Sequence, residues 1–224
     1  MDSYGHIVNI IALTMGAAWA SGINLYAALL VLGIMGMNGA IDLPPDLQVL
    51  AHPMVVGAAG LMYLVEFFAD KVPGVDTTWD TIHTFIRIPA GAMLAAGAVG
   101  QVDPVVAIVA GILGGTVAAG THAVKAGTRV LVNASPEPFS NWALSITEDA
   151  AVLGGLWAAV QYPWAFLVFL VLFILAAIWA IPRIWRGIKR MFRWLAGLFG
   201  GSTDTTKAQS ASTVEAQTKL LPDK

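Results

Sequence analysis

The sequence predicts an all-α protein, a polytopic membrane helix bundle of about six transmembrane helices. Three observations carry that expectation. The 224-residue chain is 57% hydrophobic and 12% charged, with a mean hydropathy of +0.73, outside the range of soluble domains. Its apolar stretches are long enough to cross hydrocarbon, for which about 20 residues suffice, and Pro, Gly, Asn and Asp separate them. Four otherwise apolar stretches also carry ionisable or polar side chains along one helical face each.

Residues 6–37 form the first apolar segment, 32 residues where about 20 would cross. A tilted helix with Gly22 at a packing contact is the expected form. The alternative is a discontinuous helix broken at Ser21, Gly22, Ile23 and Asn24, and in either case Asn24 needs a partner at mid-depth. The segment lacks the flanks of a cleaved signal peptide and is read as a retained first span. Asp42, Pro44, Pro45 and Asp46 then make a loop. Span two covers 53–72 and stops at Pro73 and Gly74; span three covers 76–100 with a kink at Pro89. Span four covers 104–133 and ends at Ser135, Pro136, Glu137 and Pro138. Span five covers 140–161 with Ser140 as N-cap, and span six covers 163–181 before a bend at Pro182.

Residues 1–182 are thus the transmembrane domain. Residues 183–200 place Ile184, Trp185, Ile188, Met191, Phe192, Leu195 and Phe199 opposite Arg183, Arg186, Lys189, Arg190 and Arg193, the pattern of an amphipathic interfacial helix. Residues 201–224 are polar and are expected to be a disordered cytoplasmic tail. The basic cluster orients the C-terminus to the cytoplasm, and six crossings return the N-terminus to the same face. Localisation in a cell membrane follows. There is also a weak parallel two-helix repeat: His52 and Pro53 open one pair of helices, Asp103 and Pro104 another, with Trp79 and Trp142 near the start of each return helix.

Composition excludes several functions. The absence of cysteine removes disulfides, thiolate zinc sites and cysteine nucleophiles. A net charge of -2 and a basic run beside a span disfavour nucleic acid as a partner and point to the bilayer, with anionic headgroups at the basic helix. A homo-oligomer is expected, and no cofactor. No HExxH or similar spacing indicates a metal, and no nucleophile elbow surrounds Ser135, Ser140 or Ser145.

The chemistry lies in the stripes. Asp76, Asp80, His83 and Arg87 recur at helical spacing, as do His122, Lys125, Arg129 and Asn133. Glu66 and Asp70 mark the second span, and Asn141, Ser145, Glu148 and Asp149 the fifth. Charges in hydrocarbon are costly and turn toward a bundle interior, so these residues are expected to share one polar core. A rise of 1.5 Å per residue puts Arg87 roughly 16 Å beyond Asp76, and Glu148 and Asp149 roughly 12 to 14 Å beyond Ser140. The expected pair is therefore Arg87 with Glu148 or Asp149. Nearer the cytoplasmic face, Glu66, Asp70, Asp76 and Asp80 confront Lys125 and Arg129, with His83 and His122 between. Six acids stand against three bases, an excess to be offset by protons, water, Lys71 or a cation.

That excess predicts a small transporter or channel-like protein for a cation or proton-coupled solute, gated by the Arg87 pair. One alternative is a scaffold whose ion pairs fix helix packing, with Asp76 and Asp80 also complementing a helix dipole. Another is a lipid-modifying enzyme using His122 and an acid near the cytoplasmic surface.

The run His122, Lys125, Arg129, Asn133, Ser135, Pro136, Glu137, Pro138, Ser140, Asn141, Ser145, Glu148 and Asp149 resembles a bacterial membrane family catalogued as domain of unknown function 4126. The resemblance implies the membrane class over most of the chain before the tail, and in bacteria an inner-membrane location; it implies no activity. Glu66, Asp70 and Lys71 are also similar to a Glu-x-Gly-Asp-Lys motif of cation/proton exchangers. The acid spacing is one residue longer and the glycine is missing, so no residue role is carried over.

Overall fold

The computed structural model describes residues 3–72, 74–100, 103–134 and 139–200. The expected tail at 201–224, Pro73 and the turn at 135–138 lie outside them. The chain divides into two compact units, residues 1–184 and 185–224.

The first unit is helical throughout its described secondary structure: α1 (Ser3–Ile23), α2 (Leu25–Met37), a 3-10 helix (Pro45–Ala51), α3 (Pro53–Ala69), α4 (Val75–Ala98), α5 (Pro104–Val132), α6 (Phe139–Gln161) and α7, which begins here (Pro163–Gly200). The repeat expected from sequence has a local basis in two matching starts. His52 accepts the Met54 amide ahead of Pro53, and Asp103 accepts the Val105 amide ahead of Pro104. In both, a side chain caps an orphan N–H and proline takes a first-turn position that needs none.

Two ends of the bundle can be distinguished. At the lower end Asn133 bonds Asp76, and the Trp142 indole donates to the Lys71 carbonyl. Gly74, at φ +87, makes the reversal from α3 to α4 there, a conformation that favours glycine. At the upper end Gly97 lies against Leu47 and Asp46, and Gly100 against Pro44. Helices α3, α4, α5 and α6 run alternately down and up between these ends, and α7 descends until Ile184 meets Gly127 of α5.

The first apolar segment does not cross. α1 starts at the upper end, where His6, Asn9 and Leu13 share a cavity of about 670 Å³ with Ile41, Asp42, Gly100 and Ala159. It descends with Ala18 facing Gly91 and Gly114, and the Ser21 hydroxyl donates to the Arg87 carbonyl at 3.0 Å. There it stops. Asn24 is extended (φ -145, ψ 101), and its side chain accepts the Ala27 amide at 2.9 Å as N-cap of α2. α2 then climbs back: Tyr26 meets His83, Leu30 meets Gly60, Gly33 meets Leu50, and Gly36 meets Leu43. The tilted spanning helix is thereby corrected to a re-entrant hairpin with Asn24 at its tip. Gly22 is a packing contact as expected, against Ala118 and Thr121.

Five helices, α3 to α7, therefore run end to end where six crossings were expected. By length and apolar character, Tyr4–Ile23, Pro104–Val132, Phe139–Gln161 and Pro163–Trp194 could each cross a membrane, and Pro45–Ala51 with Pro53–Ala69, bent by 67°, adds a fifth. α1 has the length but ends inside the bundle. α4 carries Asp76, Asp80 and Arg87, yet all three are at most 1% exposed, so its charges do not meet lipid. With the hairpin returning to its own side, the start of α1 and Ile184 lie at opposite ends.

Small residues let α1, α4 and α5 approach closely: a side chain on Gly114 would collide with Ala95, Ala18 and the Gly91 carbonyl. Gly114→Leu is expected to destabilise the bundle by about 1–3 kcal/mol, the usual cost of overpacking. Thermal unfolding of purified protein in detergent measures it.

α7 passes through Pro182 without a helix break, where a separate helix was expected to start. Proline removes one backbone donor, and next to it the Arg183 guanidinium donates to the Trp179 carbonyl at 2.6 Å and lies 3.7 Å over its ring. The second unit, in its described part, is the helical continuation from Trp185. Lys189 sits 5.4 Å over the Trp185 ring, and Trp185, Phe192 and Trp194 are exposed.

Candidate functional site

The stripes all turn inward. Glu66, Asp76, Arg87 and Arg129 are fully buried, and Asp70, Asp80, His83, His122, Lys125, Asn141, Ser145, Glu148 and Asp149 are between 1% and 9% exposed. They form one network reaching from the lower end to the hairpin tip.

Its lowest layer is Asn133, whose amide donates to both Asp76 carboxylate oxygens at 2.8 Å and to the Thr77 hydroxyl at 2.9 Å. Asp76 also accepts the Gly74 and Thr77 amides at 2.8 and 2.6 Å, so it is held at the start of α4 by backbone donors. Above it, Arg129 pairs with Glu148, with Asp70 at 2.9 Å, and more distantly with Asp76 at 3.5 Å and Asp80 at 3.7 Å. The Arg129 guanidinium and the Asn141 amide both donate to the Asp70 carbonyl, at 3.0 and 3.2 Å.

Lys125 is the hub. Its ammonium donates to the Ile23 carbonyl at the end of α1 at 2.8 Å and lies 3.2 Å from Asp70, 3.4 Å from Glu66, and 3.5 Å from both Asp80 and Glu148. A helix C-terminus inside hydrocarbon leaves carbonyls without partners, and a cation there offsets the dipole. The top layer is Arg87, paired with Glu66 and with Asp80 at 2.9 Å.

The expected pair of Arg87 with Glu148 or Asp149 is not formed. Arg87 stands 12 residues into α4 and Glu148 9 residues into α6, counted from Val75 and Phe139. Glu148 is therefore roughly 4 to 5 Å lower in the bundle. At that level Lys125 and Arg129 reach it first, while α3 brings Glu66 to Arg87. The gate built on that pair is withdrawn.

Hydrogen bonds assign the histidines. Thr84 donates its hydroxyl proton to the Asp80 carbonyl at 3.0 Å and so accepts from His122 Nε2 at 2.7 Å; His122 Nδ1 then accepts from Arg87 at 3.3 Å. His83 Nδ1 donates to the Trp79 carbonyl at 2.9 Å, its Nε2 faces the Tyr26 hydroxyl at 3.1 Å, and the ring stacks on Trp79. Among the described residues neither histidine hydrogen-bonds a carboxylate, so the acid partner required by the lipid-modifying reading is missing there from His122. Among the described residues no group of three or more His, Asp or Glu is placed to hold a metal ion.

What the network lacks is donors. Six buried acids face three buried bases. Lys71, partly exposed in the turn after α3, donates to the Phe67 carbonyl at 3.1 Å and lies over the Phe67 ring, with Ser145 at 3.5 Å. Burial holds its ammonium below the usual lysine range, against the pull of Asp149 and Asp70. Among the described residues, Glu66 Oε2, Asp70 Oδ1, Asp80 Oδ2, Asp149 Oδ2, Asn133 Oδ1 and Asn141 Oδ1 are buried acceptors without a hydrogen-bond partner, whereas Arg87 Nε and Trp79 Nε1 are the corresponding donors within the network region. A cavity of about 290 Å³ between α1, α5, α6 and α7 touches the network at Lys125 and Glu148.

Sequence reasoning did not identify the Ile23 carbonyl, Ser21, Tyr26 or Thr84 as members. Asn24 was noted as needing a partner, and its amide donates to Asp149 at 3.1 Å. No spacing rule exposes a carbonyl freed by a helix end, but an asparagine inside an uncharged apolar run was the available signal.

A family model described as domain of unknown function (DUF4126) matches residues 11–183. No curated protein and no solved structure matches the chain.

Proposed function

The chain belongs to the DUF4126 family, and on that premise we propose that it is a small membrane transporter or channel-like protein. Its cargo is a cation or a proton-coupled solute, and the buried network is its path. The observation that carries this reading is the mismatch of charge and donors among the described residues: six buried carboxylates, three buried bases, and four carboxylate oxygens without a hydrogen-bond donor. Uncompensated negative charge in a low dielectric is relieved by protons, water or a cation, and intramembrane ionisable residues with unmet acceptors are where such species pass. A broken helix whose carbonyl end and capped N-terminal start meet in the same place supports the same reading, because freed backbone groups at mid-depth line transport sites.

By the positive-inside rule the lower end, with Lys71, Lys125 and Arg129 on its side, is the cytoplasmic one in this reading, and the basic residues from Arg183 onward are proposed to bind anionic headgroups. The start of α1 faces the opposite side.

The test is flux in proteoliposomes with proton, Na⁺ and K⁺ gradients imposed in turn. Glu66→Gln is expected to lower the flux about tenfold or more, since it removes the carboxylate that bridges Arg87 and Lys125. Undiminished flux in a folded Glu66→Gln protein contradicts the path.

One observation favours a second reading, the scaffold: each buried base has at least two acid neighbours. In that case Arg87→Met together with Glu66→Gln restores much of the stability each loses alone, and the native protein carries no flux.

A further inference from the structure

We propose that Asp149 is the proton-binding residue of this protein and that its proton controls the hold on the hairpin tip. The proposal rests on the transport reading for its purpose but not for its evidence. Of the six network acids, Asp149 is the one with no Lys or Arg nitrogen within 4.0 Å among the described residues; Glu66, Asp70, Asp76, Asp80 and Glu148 each have at least one. It is 7% exposed, and its Oδ2 has no hydrogen-bond partner. The Asn24 amide donates to Oδ1 from Nδ2 at 3.1 Å and the Tyr63 hydroxyl faces the carboxyl, while Lys125 and Lys71 act on it only from beyond 4.0 Å.

The surroundings do not supply the missing charge. Tyr63 faces Asp149 from α3, Asp70 and Lys71 from the end of α3 and the turn after it, Lys125 from α5, and Glu148 precedes it on α6. Lys125 is engaged with five oxygens of other groups. Lys71 lies one helical turn below, against Ser145, and has no acid within 4.0 Å among the described residues. Asn141, Ser145 and Asp149 occupy successive turns of one α6 face, so a polar track runs from the partly exposed Lys71 at the lower end to Asp149 and then to Asn24.

The step is a simple exchange: the Asp149 carboxyl loses its proton to water entering along that track and regains it by the same way, with no other reactant. As a carboxylate it accepts a charge-assisted bond from Asn24; as a neutral acid it accepts a weaker one. Asn24 is the one extended residue between α1 and α2, so ionisation tightens the tip and protonation loosens it.

Infrared difference spectra of the protein in lipid nanodiscs, titrated from acid to alkaline pH, read the protonated carboxyl stretch directly. A titrating band that disappears in Asp149→Asn and survives in Glu148→Gln supports the assignment. A band unchanged by Asp149→Asn overturns it. Should that variant fail to fold, Asp149→Glu serves: the titrating band must shift in frequency, and an unshifted band overturns the assignment. Because the chain has no cysteine, Leu25→Cys reports the tip on a clean background. Its labelling by a thiol reagent, corrected for thiolate fraction, is expected to be several-fold faster at acid pH and to lose that dependence with Asp149→Asn; a rate indifferent to pH overturns the coupling. Flux through Glu66→Gln is a separate readout, so either result can fail while the other stands.

Discussion

Arg129→Met is expected to cost about 3–5 kcal/mol of stability, the penalty of removing one partner from a buried ion pair. The guanidinium is fully buried and compensates Glu148 and Asp70 together, with Asp76 and Asp80 within 3.7 Å. Its loss leaves Lys125, at 3.2 and 3.5 Å, as the cation within 4.0 Å of Asp70 and Glu148 among the described residues. The Asp70 carbonyl also loses a donor at 3.0 Å, so the end of α3 loosens with the charge layer. Unfolding of the purified protein in detergent gives the magnitude. Adding Glu148→Gln should return a coupling energy on the order of 0.5–3 kcal/mol, because the uncompensated charge is then gone. A loss in the double variant equal to the sum of the two single losses would show that Arg129 does not act through Glu148.

The second large effect concerns the hairpin. Trp19→Ala is expected to destabilise by about 3–5 kcal/mol, combining lost transfer energy with a cavity. The indole is 2% exposed and makes edge contacts with Phe166, Phe169 and Phe173, at centroid distances of 6.0, 5.4 and 5.9 Å. Gly155 is small where a side chain would collide with this ring. The contact fixes α1 against α6 and α7 just above the tip, so the variant should also speed labelling of the tip in the Leu25→Cys background. Trp19→Phe is expected to recover part of the loss. A Trp19→Ala protein as stable as the native one would mean that the hairpin is held from elsewhere.

The inward turn of the stripes was legible because helical periodicity assigns a face to each residue, and hydrocarbon leaves a charged face one direction to turn. Pairing was not legible. Spacing gives depth along one helix but says nothing of which helices are neighbours, and a difference of three residues between Arg87 and Glu148 was enough for Arg129 and Lys125 to intervene. Glu66 became the partner of Arg87 because α3 lies on that side. The hairpin was hidden for a different reason. An uncharged run of 32 apolar residues gives no sign of where it reverses, and the break depends on one asparagine side chain replacing a backbone partner.

The account depends on the network holding something besides its own side chains. An experimental density map of the protein in lipid nanodiscs, resolved well enough to place waters and ions, tests that most directly. Density for water or a cation against the unpartnered oxygens of Glu66, Asp80 and Asp149 is the expected result. Carboxylates turned so that every oxygen meets a protein donor, with no density between them, would contradict it and leave the ion pairs as braces for the helices.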